Sequence, residues 1–237
     1  MIQLHEVEIQ AGEMRVGPID LRIEQPAYVI VCGPTGSGKT TLVETLAGLR
    51  KQRRGQIVLG GVDVTRMRPA DRDIGYVPQD SVLFESMTIR QNLAFGLNAR
   101  GVGRGDQQRI VEFLAHRLEI ERLLHRKPYG LSGGERKRVA IGRAIATAPD
   151  FLLLDEPFSA LDPPTRHSMR QLILDLQLET NCTVVQVSHH EEDINALADV
   201  VVRMQAGKIL ETVSRGDFDA VSPCEHRETK LRIVNLT

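Results

Sequence analysis

Apolar runs that break on glycine or on carboxylates alternate along this chain with segments whose apolar positions recur at helical spacing. Tyr28-Val-Ile-Val-Cys32 is apolar throughout, as a strand buried on both faces is, and it breaks at Gly33. Beyond the break Leu42, Leu46 and Leu49 fall on one helical face, so strand, glycine loop and helix follow one another. Gln56 to Val64 reads as two short strands around Gly60-Gly61, a hairpin. After Ile74-Gly-Tyr-Val-Pro-Gln-Asp80 the character turns helical: Thr88 and Gln91 make a capping box, and Asp106 opens a second helix with Ile110, Leu114 and Leu118 along one face. Strands return with Phe151-Leu-Leu-Leu154, which ends in Asp155-Glu156, and with Thr183-Val-Val-Gln-Val187, which ends in Ser188-His189-His190. Between them Pro164 to Leu176 reads as a helix that starts after its prolines.

This alternation predicts an α/β fold with a mostly parallel sheet covered on both faces, and with function gathered at the carboxyl ends of the strands. The expected organisation is a single domain over 1–237: a core lobe from 1–85 and 150–215, a helical subdomain inserted at 86–149, and a short tail of mixed charge at 216–237.

Composition narrows the function classes. Lys+Arg is 30 against Asp+Glu 31, a net charge of −1. No global field therefore draws the chain to nucleic acid or to a lipid surface. The basic runs Arg50-Lys51-Gln52-Arg53-Arg54 and Arg136-Lys137-Arg138 read as solvated faces. Cys32, Cys182 and Cys224 are scattered, without the spacing of a zinc site, which predicts a reducing compartment. The charged N-terminus and the lack of an apolar run near the ~20 residues of a membrane span predict a cytoplasmic chain, soluble by itself. With no Trp and 4% aromatic residues, a base-stacking platform for single strands is poorly supplied.

Gly33-Pro34-Thr35-Gly36-Ser37-Gly38-Lys39-Thr40 fits the phosphate-loop pattern, and the strand before it and the helix after it supply the required context. In such a loop the glycines let backbone N–H groups wrap phosphates, Lys39 reaches the terminal phosphates, and Thr40 ligates Mg2+. Asp155, at the end of a buried strand, is placed to hold Mg2+ and its waters, and Glu156 to orient an attacking water or take its proton. Gln79 and His189 stand alone at predicted strand ends, where such residues are more often structural and by themselves support no function.

Leu131-Ser132-Gly133-Gly134-Glu135 poses a separate question. Ser132 and Glu135 satisfy the capping-box pattern, and a well-capped helix is the modest reading. Two glycines in a first helical turn are costly, each by about 1 kcal/mol relative to Ala. Their use is close approach by another group, and exposed N–H groups at a helix start favour an anion. A second copy of the chain would bring that anion.

The ordered set GPTGSGKTT, YVPQD, LSGGERKRVAIGRA, LLLDEPFSALD and SHH resembles the nucleotide-binding subunits of ABC transporters, from the N-terminus to about Val213. The resemblance implies a P-loop NTPase core with an N-terminal antiparallel β part. It also implies a head-to-tail dimer that buries two ATP molecules with Mg2+, each held by Gly33 to Thr41 of one chain and by Ser132, Gly133 and Gly134 of the other. By the same resemblance Gln79 would sit near Mg2+ and the attacking water, His189 would contact the γ-phosphate, Asp162 would belong to the loop that crosses to the other subunit, and Glu156 would be the catalytic carboxylate. An adenine-stacking aromatic is usual in the family where this chain has Ala11, with Ile9 and Met14 the nearest bulky residues. Asp71-Arg-Asp-Ile-Gly-Tyr-Val-Pro-Gln-Asp80, Met87-Thr-Ile-Arg-Gln-Asn-Leu-Ala-Phe-Gly-Leu97 and DEPFSALD resemble bacterial importers, especially those of molybdate, sulfate and related small anions or sugars. Many of those carry a C-terminal regulatory barrel, for which the chain stops too soon. The implied partners are a second ATPase subunit, transmembrane permease subunits and a periplasmic or extracellular solute-binding protein, with no nucleic acid. Peripheral attachment to the inner face of the cell membrane through the permease follows. The alternatives are an exporter, lipoprotein-release or cell-division ATPase and, more remotely, a soluble clamp on DNA or ribosomes.

Overall fold

The computed structural model describes residues 1–24 and 26–220. Most of the expected tail, and Cys224 with it, lies outside the described residues. The chain divides into two compact units: residues 1–67 with those from 185 onward, and residues 68–184.

In the first unit β1 (Ile2–Ala11) and β2 (Met14–Ile23) form an antiparallel pair whose inward residues Ile2, Leu4, Val7, Ile9, Val16 and Ile19 are buried. β4 (Gln52–Leu59) lies on the other side of β1, and β5 (Val62–Asp63) closes a hairpin on β4 through Gly60-Gly61. The hairpin matches its glycine signal, but β4 reaches back to Gln52 because it pairs with β1 along that whole length. β3 (Tyr28–Cys32), buried at every position, pairs in parallel with β9 (Val200–Gln205), and β10 (Lys208–Ser214) turns back on β9 through Ala206-Gly207. β8 (Thr183–Val187) flanks β3 on its other side. Helix α1 (Lys39–Leu46) follows β3. It stops short of Leu49, which is 57% exposed: Gly48, with φ +79, takes the chain out of the helix.

In the second unit β6 (Ile74–Val77) and β7 (Phe151–Asp155) are parallel neighbours, Ile74 facing Phe151 and Val77 facing Leu154. Three helices separate them in sequence: α2 (Ile89–Ala99), α3 (Arg104–Arg117) and α4 (Gly133–Ile145). The capping box of α2 is present, Thr88 Oγ1 accepting from Gln91 N while Gln91 Oε1 accepts from Thr88 N. α3 begins at Arg104 rather than at Asp106, and its buried side is Val111, Leu114 and Ala115. Close packing explains two glycines here. A side chain at Gly75 would reach within 2.5 Å of Ala144 O, which seats α4 on β6, and one at Gly142 would strike Leu118 and Leu93. α5 (Pro163–Thr180) follows β7, and α6 (Glu191–Leu197), in the first unit, follows β8.

Candidate active site

In the first unit the glycine loop leaves β3 with Gly33, Gly36 and Gly38 all at positive φ, where side chains are strained. Gly33 is forced twice over, since a Cβ there would lie 2.0 Å from Met204 O. Lys39 is 9% exposed, and its ammonium is held on the loop by two carbonyl oxygens, Gly33 O and Pro34 O, each at 2.9 Å. Among the described residues no side chain caps α1, whose first turn is Lys39, Thr40 and Thr41. Ser37 is buried with its hydroxyl unpartnered, while Pro34, Thr35 and Gly36 line the exposed rim. A concave loop of N–H groups with a lysine amine over it fits a phosphate chain. Ile9 is buried in the sheet; Met14 and Val16 stand against the loop, within 3.2 Å and 2.8 Å of where a Gly38 Cβ would be.

His189 is exposed at the end of β8, in a turn that is tied down on both sides. Ser188 N donates to Val31 O at 3.2 Å, and Ser188 Oγ donates to the buried Asp193 Oδ2 at 2.6 Å while accepting from His190 N at 3.2 Å. The His189 and His190 rings lie 4.1 Å apart.

The second unit carries the carboxylates. Asp155 is 3% exposed at the end of β7. Glu156 follows with φ +47, a left-handed conformation that a residue with a side chain adopts only when its surroundings hold it. Gln79, just past β6, places Nε2 3.3 Å from Glu156 Oε2, so the fold brings together two of the expected residues that are 77 apart in sequence. Among the described residues no cluster of three or more His, Cys, Asp or Glu side chains forms a metal cage. A divalent ion held by one carboxylate, a hydroxyl and phosphate oxygens needs no such cage.

Ser132 caps α4 as its spacing predicts: Ser132 Oγ accepts from Glu135 N at 3.2 Å and Glu135 Oε2 accepts from Ser132 N at 2.9 Å. That backbone N–H, with Arg122 at 2.9 Å from the other oxygen, holds the Glu135 carboxyl below the usual carboxylate range. A Cβ on Gly133 would meet nothing within 4 Å, and one on Gly134 would touch Thr165 Cγ2 at 3.1 Å. Asp162 caps α5 through Thr165 N at 3.1 Å, and the Thr165 hydroxyl and N–H lower its pKa.

The expectation of a solvated face at Arg136-Lys137-Arg138 is wrong. Arg136 bonds Glu85 and Pro128 O, and Arg138 bonds Leu118 O, Glu119 and Ser168. Lys137 is 7% exposed and donates to Glu156 O and Ser159 Oγ. Burial pushes its pKa down to about 8, against the opposing pull of the Glu156 charge. Asn92 was also unmarked as a polar anchor. Fully buried, it accepts from Phe84 N and donates to Phe84 O, Met87 O and Thr88 O, pinning the segment between Gln79 and α2. Over that segment Phe84 and Phe95 pack at 4.4 Å, with the Arg143 guanidinium 4.9 Å from the Phe84 ring.

A phosphate loop after a buried parallel strand, an Asp-Glu pair at the end of another, and a helical insertion opening on a capped glycine pair define a P-loop nucleotide-binding cassette. The chain belongs to the ABC transporter family, whose profile matches residues 16–159. It is 39% identical over 211 residues to the molybdate/tungstate import ATP-binding protein WtpC of Pyrococcus abyssi, covering 89% of this chain and 61% of that one. The sulfate/thiosulfate import ATP-binding protein CysA of Synechococcus elongatus is 41% identical over 209 residues, covering 88% and 61%. The chain thus spans about three fifths of the length of these relatives. Among solved structures, a dimeric post-hydrolysis state of the ATP-binding cassette MJ0796 bound to ADP and Pi superposes with a TM-score of 0.80 at 27% identity, covering 90% of this chain and 98% of that one. Among the described residues no helix is long and apolar enough to cross a membrane.

Proposed function

We propose that this chain is the ATP-hydrolysing subunit of an importer for a small solute, an oxyanion of the molybdate or sulfate kind being favoured by the names its relatives carry. It works as a head-to-tail pair that holds ATP between one copy's Gly33 to Thr41 and the other copy's Ser132, Gly133, Gly134 and Asp162. Thr40, Asp155 and Gln79 would hold Mg2+, which supplies charge neutralisation on the phosphates when bound. Glu156 receives the proton of the attacking water and keeps it directed, with Gln79 steadying the carboxylate and His189 donating to the γ-phosphate oxygen. Hydrolysis of this kind is mostly positioning and charge stabilisation, which a closed pair supplies and an open one lacks. Permease subunits dock on the exposed Val82, Phe84 and Phe95 face and hold the pair at the inner side of the membrane, with a solute-binding protein outside.

The observation that supports this reading most is the open face of Gly133: it opens α4 at a cost in helix propensity, and nothing among the described residues of its own chain needs the missing side chain. A partner's phosphate is the group that would. The test is turnover of Mg-ATP by the purified chain. Wild type hydrolyses ATP, and Glu156→Gln binds it with turnover lowered on the order of a hundredfold or more. A wild-type chain that binds but never hydrolyses ATP, or a Glu156→Gln variant that turns over at the same rate, overturns the proposal.

A further inference from the structure

Glu156 is gripped at two ends. Its carboxylate receives the Gln79 amide at 3.3 Å, and its carbonyl oxygen receives both Lys137 Nζ at 3.2 Å and Ser159 N at 3.1 Å. Lys137 also donates to Ser159 Oγ at 3.2 Å, so one buried amine ties both ends of the turn that follows β7. This turn holds two non-glycine residues in the left-handed region, Glu156 at φ +47 and Ala160 at φ +58. Each such residue is strained and persists only where neighbouring contacts fix it. The φ of Glu156 sets the direction in which its Cα–Cβ bond leaves the chain, so whatever fixes this backbone aims the carboxylate.

We propose that Lys137 is a positioning residue for the reaction: from α4 it locks the Glu156 carbonyl and the Ser159 hydroxyl, holding the Glu156 carboxylate in the direction the attacking water requires. This rests on the assignment of Glu156 made above. The amine is buried, and its bonds are to Glu156 O and Ser159 Oγ. Its work is done through the backbone of Glu156, and a misplacement of that residue by about 1 Å can cost on the order of a hundredfold in rate. The helix that carries Lys137 opens on Ser132 and Gly133, so the element proposed to meet the partner's phosphate is also the one that grips the carboxylate.

Two variants separate positioning from bulk packing. Lys137→Met keeps the length and removes the donor; Lys137→Gln keeps a donor and removes the charge. Lys137→Met is expected to lower kcat about tenfold or more with KM for ATP within about twofold, and Lys137→Gln to recover most of the loss. In the Glu156→Gln background Lys137→Met lowers residual turnover no further, because the two residues act as a unit. Amide exchange in the nucleotide-free chain reads the same grip without turnover: the Ser159 N–H exchanges faster in Lys137→Met and near the wild-type rate in Lys137→Gln. Unchanged kcat in Lys137→Met, an equal loss in both backgrounds, or unaltered exchange at Ser159 overturns the proposal. If the wild-type chain hydrolyses no ATP, the functional assignment of Glu156 fails, and the exchange measurement still decides whether Lys137 fixes the turn.

Discussion

Asn92→Ala is the perturbation whose size follows most directly from the structure. Asn92 Oδ1 accepts from Phe84 N, and the two Nδ2 hydrogens are shared among three carbonyls, two of which have a second donor: Phe84 O receives Met87 N at 3.0 Å and Thr88 O receives Asn92 N at 2.9 Å. The irreplaceable contacts are those to Phe84 N and Met87 O. Each is worth about 1 kcal/mol net at a partly buried site, so the truncation should cost about 2 kcal/mol. For a chain of this length that is a fall in Tm of about 4–8 °C. Asn92→Asp should be worse than Ala, because its carboxylate keeps the bond from Phe84 N while a buried charge faces three carbonyl oxygens. Thermal unfolding followed by circular dichroism at pH 7.5 gives the order wild type, Ala, Asp. A Tm for Asn92→Ala within 1 °C of wild type, on the order of the scatter among neutral surface substitutions, would show that Asn92 does not anchor this segment, as would an Asp variant more stable than Ala.

Gly75→Ala forces a Cβ to within 2.5 Å of Ala144 O, a backbone atom that cannot yield cheaply, and should lose about 2 kcal/mol or more in urea unfolding; full wild-type stability would show that α4 is not seated on β6 this closely. Lys137 titrates near 8 when folded, below its ordinary 10.5, so between these values the unfolded chain binds more protons and stability gained through this group rises with pH. The Tm of wild type minus that of Lys137→Met should therefore become more positive from pH 7.5 to pH 9.5, on the order of a degree or more, and a constant difference argues that water reaches the amine. Phe84→Asp places a charge on the proposed permease face, and should leave basal ATP hydrolysis within about twofold while abolishing solute uptake in the assembled transporter; normal coupled uptake would exclude this face from docking.

Much of the site was legible because it is written locally. Tyr28 to Cys32, Phe151 to Asp155 and Thr183 to Val187 are runs that only a buried strand tolerates, and each is a strand as read. The boxes at Thr88 and Ser132 involve residues three apart, and both are present. What was hidden is non-local. Lys137 stands in a basic run that composition assigns to solvent, and only the packing of α4 on the turn after β7 buries it. Asn92 left a signal, since with Ile89, Leu93 and Gly96 it falls on the apolar face of its helix, where a lone polar residue needs partners. Leu49 kept helical spacing after Gly48 had ended the helix.

Whether two copies of this chain complete each other's phosphate site is decided by the mass in solution of Glu156→Gln with and without Mg-ATP. With Glu156 as the proton acceptor proposed above, its loss traps bound nucleotide, and the mass is expected to double in a way that requires ATP and that Ser132→Arg abolishes. A Glu156→Gln chain that binds ATP and stays monomeric at every concentration, or one that doubles equally well with Ser132→Arg, contradicts that pairing.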